Sequence, residues 1–169
     1  MSNYPQQNQK RGNNFQNPHS NKKKETKTFD ELAKEVKDSI FRDNFDEILQ
    51  MSKTPQLDNL LYSIEIFAGR SQVENPTKKQ LGATVTTSQL RNVYDKVLKT
   101  KHVNDLKMIR PQLAYIAGRE KGVEVQKFLA FLDFLIKSIH NNEQVKEFKV
   151  FFEAVVAYHK FYGKKNNQN

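Results

Sequence analysis

The sequence contains no cysteine, only six glycines and five prolines among 169 residues, and no long apolar run. Without cysteine the chain has neither a disulfide framework nor a thiolate metal site. No apolar stretch approaches the ~20 residues that span a bilayer, and the N-terminus lacks the apolar core of a signal peptide. These absences predict a cytoplasmic protein without a membrane partner.

Side chains that commonly perform catalysis are few and scattered. The four histidines form no i, i+4 pair and lie beside no carboxylate cluster with metal-ligand spacing. No glycine-rich loop suited to phosphate is present, and the carboxylates show no acid–base pair. His159 follows the apolar pattern of its segment and is predicted to be a packed core residue. We therefore predict a protein that is not an enzyme and that holds no metal or cofactor.

The net charge of +9 is distributed unevenly along the chain. Residues 1–28 carry a net charge of +5, residues 29–69 carry −5, residues 70–127 carry +7 and residues 128–169 carry +2. A basic surplus concentrated in one segment of a fold is the usual electrostatic footprint of a protein that binds a polyanion. The alternative is an ordinary solvated surface, and charge alone leaves both interpretations open.

Apolar residues recur at helical spacing through most of the chain, and no segment alternates as a strand does. The pattern predicts an all-α fold, a compact bundle of five or six helices, over residues 28–163. Residues 1–27 are rich in Asn and Gln and nearly free of aliphatic residues, so we predict a disordered basic tail there. Residues 164–169 are predicted to form a short polar C-terminal tail.

Two capping boxes mark helix starts in the sequence. Thr28 stands three residues before Glu31, and Thr86 stands three residues before Gln89. The first helix is predicted to continue past a weak point at residues 43–44. Residues 71–84, which contain Asn-Pro, Lys-Lys and Gly, are predicted to form a loop.

Two predicted helices carry basic and aromatic residues where a core does not need them. Tyr115 and Arg119 lie at i, i+4 on the side opposite an apolar stripe. Arginine can bind phosphate through two parallel hydrogen bonds, and tyrosine can stack on a base or ribose. The residues predicted to contact RNA are Arg91, Arg119, Lys121, Lys99, Lys96, Tyr115, Lys78 and Lys79.

Each of these residues also has a purely structural interpretation. Arg91 lies four residues before Asp95, at the spacing of a helical ion pair. Arg119 has Glu120 as a neighbour in sequence and Glu153 as a further candidate partner. Tyr115 fits equally well as a residue packed between helices.

Three stretches in this order resemble a known family. They are residues 86–92 (TTSQLRN), residues 114–121 (AYIAGREK) and residues 151–162 (FFEAVVAYHKFY). Together they resemble the small subunit of the Csm complex, the type III-A CRISPR effector. The resemblance covers about residues 85–163.

The resemblance implies a helical, non-catalytic subunit that stacks in several copies beside the guide-bearing backbone subunits. Its expected partners are the guide RNA, the target RNA, the other effector subunits and further copies of itself. Sequence choice would be left to base pairing with the guide, and the small subunit would contribute charge and shape. The alternative is a free-standing helical interaction protein whose basic face binds an acidic protein or membrane surface.

Overall fold

The computed structural model describes Met1 and residues 26–163, and this part of the chain contains helices and turns but no strand. The predicted all-α bundle is therefore confirmed. The tails predicted at residues 1–27 and 164–169 lie almost wholly outside the described residues. Six helices have nine residues or more: α1 (Phe29–Ile40), α2 (Leu57–Glu65), α4 (Thr87–Lys99), α6 (Arg110–Arg119), α7 (Val123–Lys137) and α8 (Asn142–Gly163). Two helices are shorter: α3 (Ser71–Glu74) and α5 (Val103–Lys107).

Both predicted capping boxes are confirmed. The Thr28 hydroxyl accepts from the Glu31 amide at 3.3 Å, and the Glu31 carboxylate accepts from the Thr28 amide at 2.7 Å. These hydrogen bonds from Thr28 lower the pKa of the Glu31 carboxyl. At the start of α4, Thr86 and Gln89 make the same reciprocal pair at 3.1 and 2.9 Å. The two boxes satisfy amides that have no partner within the helix.

Helix α7 forms the centre of the bundle, with α1 and α6 packed on it. Most of its residues between Val125 and Ile136 are buried. Phenylalanine rings join it to the rest of the core: Phe41 stacks on Phe131 with ring centroids 4.7 Å apart, and Phe67 stacks on Phe128 at 4.6 Å. Aromatic pairs of this kind add to the stabilisation that burial supplies.

The prediction that the first helix continues past residues 43–44 is wrong. Helix α1 ends at Ile40, and turns lead to a 3₁₀ segment, Ile48–Gln50. Asn44 is buried there, and its side-chain amide donates to the Ser63 hydroxyl at 3.0 Å. This contact with α2 holds the chain in a turn, and the buried Phe41 ring enters the core just after α1.

The prediction of a loop over residues 71–84 is only partly correct. Helix α2 continues through a π-helical turn, Ile66–Arg70, into α3, and a 3₁₀ turn, Gly82–Thr84, closes the segment. Gly69 has a φ of 155°, a backbone conformation that glycine adopts without strain. The chain then returns so closely that a Cβ on Gly82 would lie 2.1 Å from the Ala68 carbonyl oxygen.

His159 is a packed core residue, as predicted. It is 2% exposed, and its Nε2 lies 2.9 Å from the Val85 carbonyl oxygen, which tethers α8 to the residue before the α4 cap. A carbonyl oxygen only accepts, so Nε2 carries the proton and donates. Burial lowers the pKa of His159, outweighing the backbone hydrogen bonds that act in the opposite direction.

Acidification is expected to destabilise the fold through His159. The imidazole of His159 binds a proton less readily in the native state than in the unfolded state. The free energy of unfolding is therefore highest at pH values above the unfolded pKa of about 6.5, and it decreases as the pH drops below that value. The loss is at most about 1.4 kcal/mol per pH unit for one group. Urea unfolding at several pH values between about 7.5 and 5.5, above the range where ordinary carboxylates titrate, measures it. His159→Gln should flatten this dependence, and an unchanged slope in that variant would assign the effect to another group.

Candidate nucleic-acid interface

Helices α4 and α6 lie antiparallel with a groove between them. The Gln89 side-chain amide donates to the Glu120 carboxylate at 3.2 Å near one end, and the Lys96 ammonium donates to the Gln112 side-chain oxygen at 2.7 Å further along. The space between the helices, hereafter the α4–α6 groove, has a volume of about 330 Å³. It is lined by Gln89, Asn92, Gln112, Tyr115, Ile116, Arg119 and Glu120.

Tyr115 and Arg119 form an exposed pair in this groove. The Tyr115 side chain is 63% exposed, and the Arg119 guanidinium lies 5.6 Å from the centroid of its ring. An Arg119 Nη1–H also donates to the Tyr115 hydroxyl at 3.3 Å. The stacked arrangement orients the guanidinium, and the arginine keeps further donors for a ligand because it carries five N–H groups.

The structural alternatives considered for these residues are not what the fold shows. Among residues 26–163, Arg119 makes no ion pair with Glu120 or Glu153, and Arg91 makes none with Asp95. Tyr115 lines the space between α4 and α6 but is 63% exposed, so it is not buried between the helices.

Three more of the predicted cations lie on α4 or just after α6, outside the lining of the groove. Lys96 bridges its two walls, Lys99 is the exposed last residue of α4, and Lys121 is exposed just beyond the end of α6. The Glu120 carboxylate is the opposing charge in the lining, and it accepts a hydrogen bond from Gln89. The lining itself therefore has one cation, Arg119, and one carboxylate, Glu120. The three exposed lysines beyond it add positive charge, and Asp95, four residues before Lys99 on α4, adds one negative charge.

The other predicted contacts lie elsewhere. Arg91 is exposed, but it lies about 140° around the α4 axis from Lys96, which bridges to α6. Lys78 and Lys79 line a separate recess of about 640 Å³, shared with acidic side chains that include Glu35 and Asp38. The structure therefore brings Tyr115 and Arg119 together in the groove, with Lys96 bridging its walls. It leaves Lys99 and Lys121 exposed near the ends of α4 and α6 and places the remaining three apart.

Sequence reasoning missed two features that position the residues of this groove. Gln112 lines the groove and binds Lys96, but a lone glutamine carries no recognisable signal. The other is an ion pair that anchors the start of α6: the Arg110 Nε and Nη2 atoms donate to the two Asp133 carboxylate oxygens at 2.9 and 3.2 Å. Asp133 lies within the apolar pattern of α7. A carboxylate at such a position indicates a buried charge that needs a partner, and this was the signal in the sequence.

The part of the chain that the structure describes contains no group of three or more His, Cys, Asp or Glu side chains arranged to hold a metal ion. None of its helices is long and apolar enough to cross a membrane.

Comparison with known proteins decides the family. The model of the family described as Csm2 Type III-A matches residues 70–165, more than half of the chain. The chain belongs to the Csm2 type III-A family. A curated relative from Streptococcus thermophilus, described as "CRISPR system Cms protein Csm2", is 36% identical over 92 residues, covering 48% of this chain and 76% of the relative. No solved structure gives a significant match.

The Csm2 match confirms the resemblance seen in the sequence, and it makes the chain a subunit of a type III-A CRISPR complex. All three stretches that carried the resemblance lie inside the matched region, which runs from α3 to α8. Helices α1 and α2 lie outside it. They pack against α7 and α8, so the segment before residue 70 is part of the same core.

Proposed function

We propose that this Csm2-family chain is a non-catalytic, RNA-binding structural subunit that contacts the guide–target RNA duplex through the α4–α6 groove. The observation that carries the proposal is the exposed Tyr115–Arg119 pair, which has no carboxylate partner among the described residues. A core does not require an aromatic and a cation held together at the surface. Proteins that bind RNA use such pairs, because the arginine can contact a phosphate while the aromatic ring stacks on a base or ribose.

The groove suits contacts to backbone rather than to base edges. Arg119 supplies donors for phosphate oxygens, and the Tyr115 ring presents a flat apolar face to a ribose. The amide side chains of Gln89, Asn92 and Gln112 can bond to 2′-hydroxyl or phosphate oxygens, the groups that RNA helices display. Contacts of this kind position a protein on a duplex without reading its sequence.

The remaining cations extend this proposal beyond the groove. Lys96 and Lys99 on α4 and Lys121 just after α6 are proposed to add phosphate contacts beyond the groove. Arg91, Lys78 and Lys79 lie on other surfaces, and we assign them to neighbouring stretches of the same RNA.

Several copies are proposed to stack along the duplex in the complex, together with the other effector subunits. Each copy adds a few phosphate contacts, and linked copies gain affinity through effective concentration. The net charge of −5 over residues 29–69 against +7 over residues 70–127 supports head-to-tail contact between copies.

Arg119→Glu is expected to lower affinity for an RNA duplex about tenfold, because it removes a phosphate contact and adds a repulsive charge. The slope of log affinity against log salt should flatten by about 0.7–0.9 for the lost contact. Fluorescence anisotropy with a short synthetic duplex and the corresponding single strand, over a salt series, measures both quantities.

Lys53→Glu is the matched control, since it changes the net charge equally at an exposed site before α2. It should lower affinity far less than Arg119→Glu. Equal losses in the two variants would show diffuse attraction and remove the groove assignment. Arg91→Glu, measured in parallel, shows whether the other flank of α4 also contacts the RNA.

A further inference from the structure

Glu120 places a carboxylate inside the groove that is proposed to bind a polyanion. It is half-buried directly after the last residue of α6, and among the residues that line the groove it alone carries a negative charge. Within residues 26–163 it makes no ion pair. A carboxylate repels phosphate oxygens, so it lowers the affinity for RNA unless the ligand also offers it a hydrogen-bond donor.

Hydrogen bonds from two glutamines hold Glu120 in place. Gln126 donates its side-chain amide to the Glu120 backbone carbonyl at 3.2 Å, and Gln89 donates its own to the Glu120 carboxylate at 3.2 Å. The Thr86 backbone amide lies 2.9 Å from the other end of the Gln89 side chain. Because a backbone N–H only donates, that end is the Gln89 oxygen and its nitrogen faces Glu120. The helix cap therefore orients the carboxylate through Gln89.

The oriented carboxylate keeps acceptor sites for a ligand. An ionised carboxylate accepts about four hydrogen bonds and donates none, and Gln89 uses one of these sites. Arg119, the preceding residue, lines the same groove and has free N–H donors. The groove thus presents a strong donor group and a strong acceptor group that are adjacent in the chain.

A ribonucleotide carries the matching pair of groups. Its phosphate oxygens only accept hydrogen bonds, whereas the 2′-hydroxyl, on the carbon next to the one that bears the 3′-phosphate, donates as well as accepts. With the phosphate toward Arg119, the 2′-hydroxyl can donate to Glu120. The sugar of DNA has no donor, so a DNA strand would leave Glu120 facing phosphates without a hydrogen bond.

From this pairing of groups we propose that Glu120 accepts a hydrogen bond from a ribose 2′-hydroxyl and makes the α4–α6 groove selective for the ribose of RNA. The inference rests on the RNA binding proposed above and adds a specificity-determining residue to it. The cations attract any nucleic-acid backbone, because phosphate contacts depend on charge and not on the sugar. Glu120 offsets that attraction wherever the 2′-hydroxyl is absent.

A 2′-fluoro duplex separates the hydrogen bond from the shape of the helix. Fluorine in place of each 2′-hydroxyl keeps the sugar in the pucker of A-form RNA but cannot donate. The wild-type chain should bind the RNA duplex about tenfold more tightly than the 2′-fluoro duplex of the same sequence, because a hydrogen bond to a charged acceptor is lost. Fluorescence anisotropy at one salt concentration and neutral pH gives this affinity ratio, and circular dichroism checks that both duplexes are A-form.

Two substitutions of Glu120 should reduce the ratio in steps. Glu120→Gln keeps the size and an oxygen that can accept from Gln89, but a neutral acceptor makes a hydrogen bond about half as strong, so the ratio should fall to about threefold. Glu120→Ala has no acceptor, so the ratio should fall to about one and the affinity for the 2′-fluoro duplex should rise.

Glu153→Ala is the matched control. It makes the same change of residue and charge at an exposed position on α8 that does not line the groove. It should change both affinities by the same factor and leave their ratio at the wild-type value, because diffuse attraction does not depend on the sugar.

Three results would overturn this proposal: a wild-type ratio below about twofold, a wild-type ratio that persists in Glu120→Ala, and a ratio lowered as much by Glu153→Ala as by Glu120→Ala. In each of them, tight binding of the RNA duplex and its loss in Arg119→Glu would still support the RNA-binding proposal, so the role of Glu120 would fail alone. If the RNA duplex does not bind, or if Arg119→Glu has no effect on its affinity, both proposals fail together.

Discussion

Gly82→Ala is expected to lower the free energy of unfolding by about 3 kcal/mol relative to the natural sequence, because the added methyl group has no space. Its carbon would lie 2.1 Å from the Ala68 carbonyl oxygen and 2.7 Å from the carbonyl carbon. Both are backbone atoms, so no side chain can rotate away. Relief requires the 3₁₀ turn at Gly82–Thr84 to separate from the π-helical turn at Ile66–Arg70. Urea denaturation followed by circular dichroism gives the free energy.

Gly118→Ala is the control for this substitution. Gly118 lies within α6, and a Cβ there would meet no atom within 4 Å. Alanine is favoured over glycine in a helix, so this variant should gain about 0.5–1 kcal/mol. A Gly82→Ala loss below about 1 kcal/mol, the lower limit for overpacking, would mean that the two turns separate easily.

The parts of the fold that sequence predicted correctly depend on nearby residues. The capping boxes at Thr28 and Thr86 join side chains and amides three residues apart, so their pattern is visible in the chain itself. The apolar period placed α7 and α8, and the i, i+4 spacing placed Tyr115 beside Arg119. In each case the chemistry is complete within about one turn of helix.

The failures involve residues distant in sequence. The turn after α1 depends on Asn44 meeting Ser63, nineteen positions away. The order within residues 71–84 depends on Gly82 reaching Ala68. Composition marked these segments as weak or loop-like, but the contacts that shape them appear only when the helices are packed.

The sequence predicted which residue types form the candidate site better than it predicted how they are arranged. Sequence reasoning identified the cations and the tyrosine but grouped Arg91 with Arg119, whereas α4 presents Arg91 on the flank away from the α4–α6 groove. Which flank faces α6 depends on how α4 and α6 each pack on the core, and helical period alone does not determine that. The ion pair between Arg110 and Asp133, which anchors α6, joins residues 23 positions apart. It was not predicted from the sequence for the same reason.

Removing that anchor is expected to affect both stability and RNA binding. Asp133 lies in α7 and is only 6% exposed. Arg110→Met leaves its buried carboxylate without an ion-pair partner. The loss should be about 2–3 kcal/mol, at or below the range for a fully buried pair, because the Arg110 guanidinium is partly exposed. Arg110 is the first residue of α6, so RNA affinity should fall too as Tyr115 and Arg119 lose their fixed position.

The double variant Arg110→Met, Asp133→Leu separates these effects. Replacing both members of a buried ion pair by apolar residues is often neutral or stabilising, so most of the lost free energy should return. If the pair acts by positioning α6, RNA affinity returns with stability, although the variant lacks the Arg110 charge. If stability returns and affinity does not, Arg110 itself contacts RNA, and the interface extends from the α4–α6 groove to the beginning of α6. Urea unfolding and anisotropy with the same RNA duplex decide between the two.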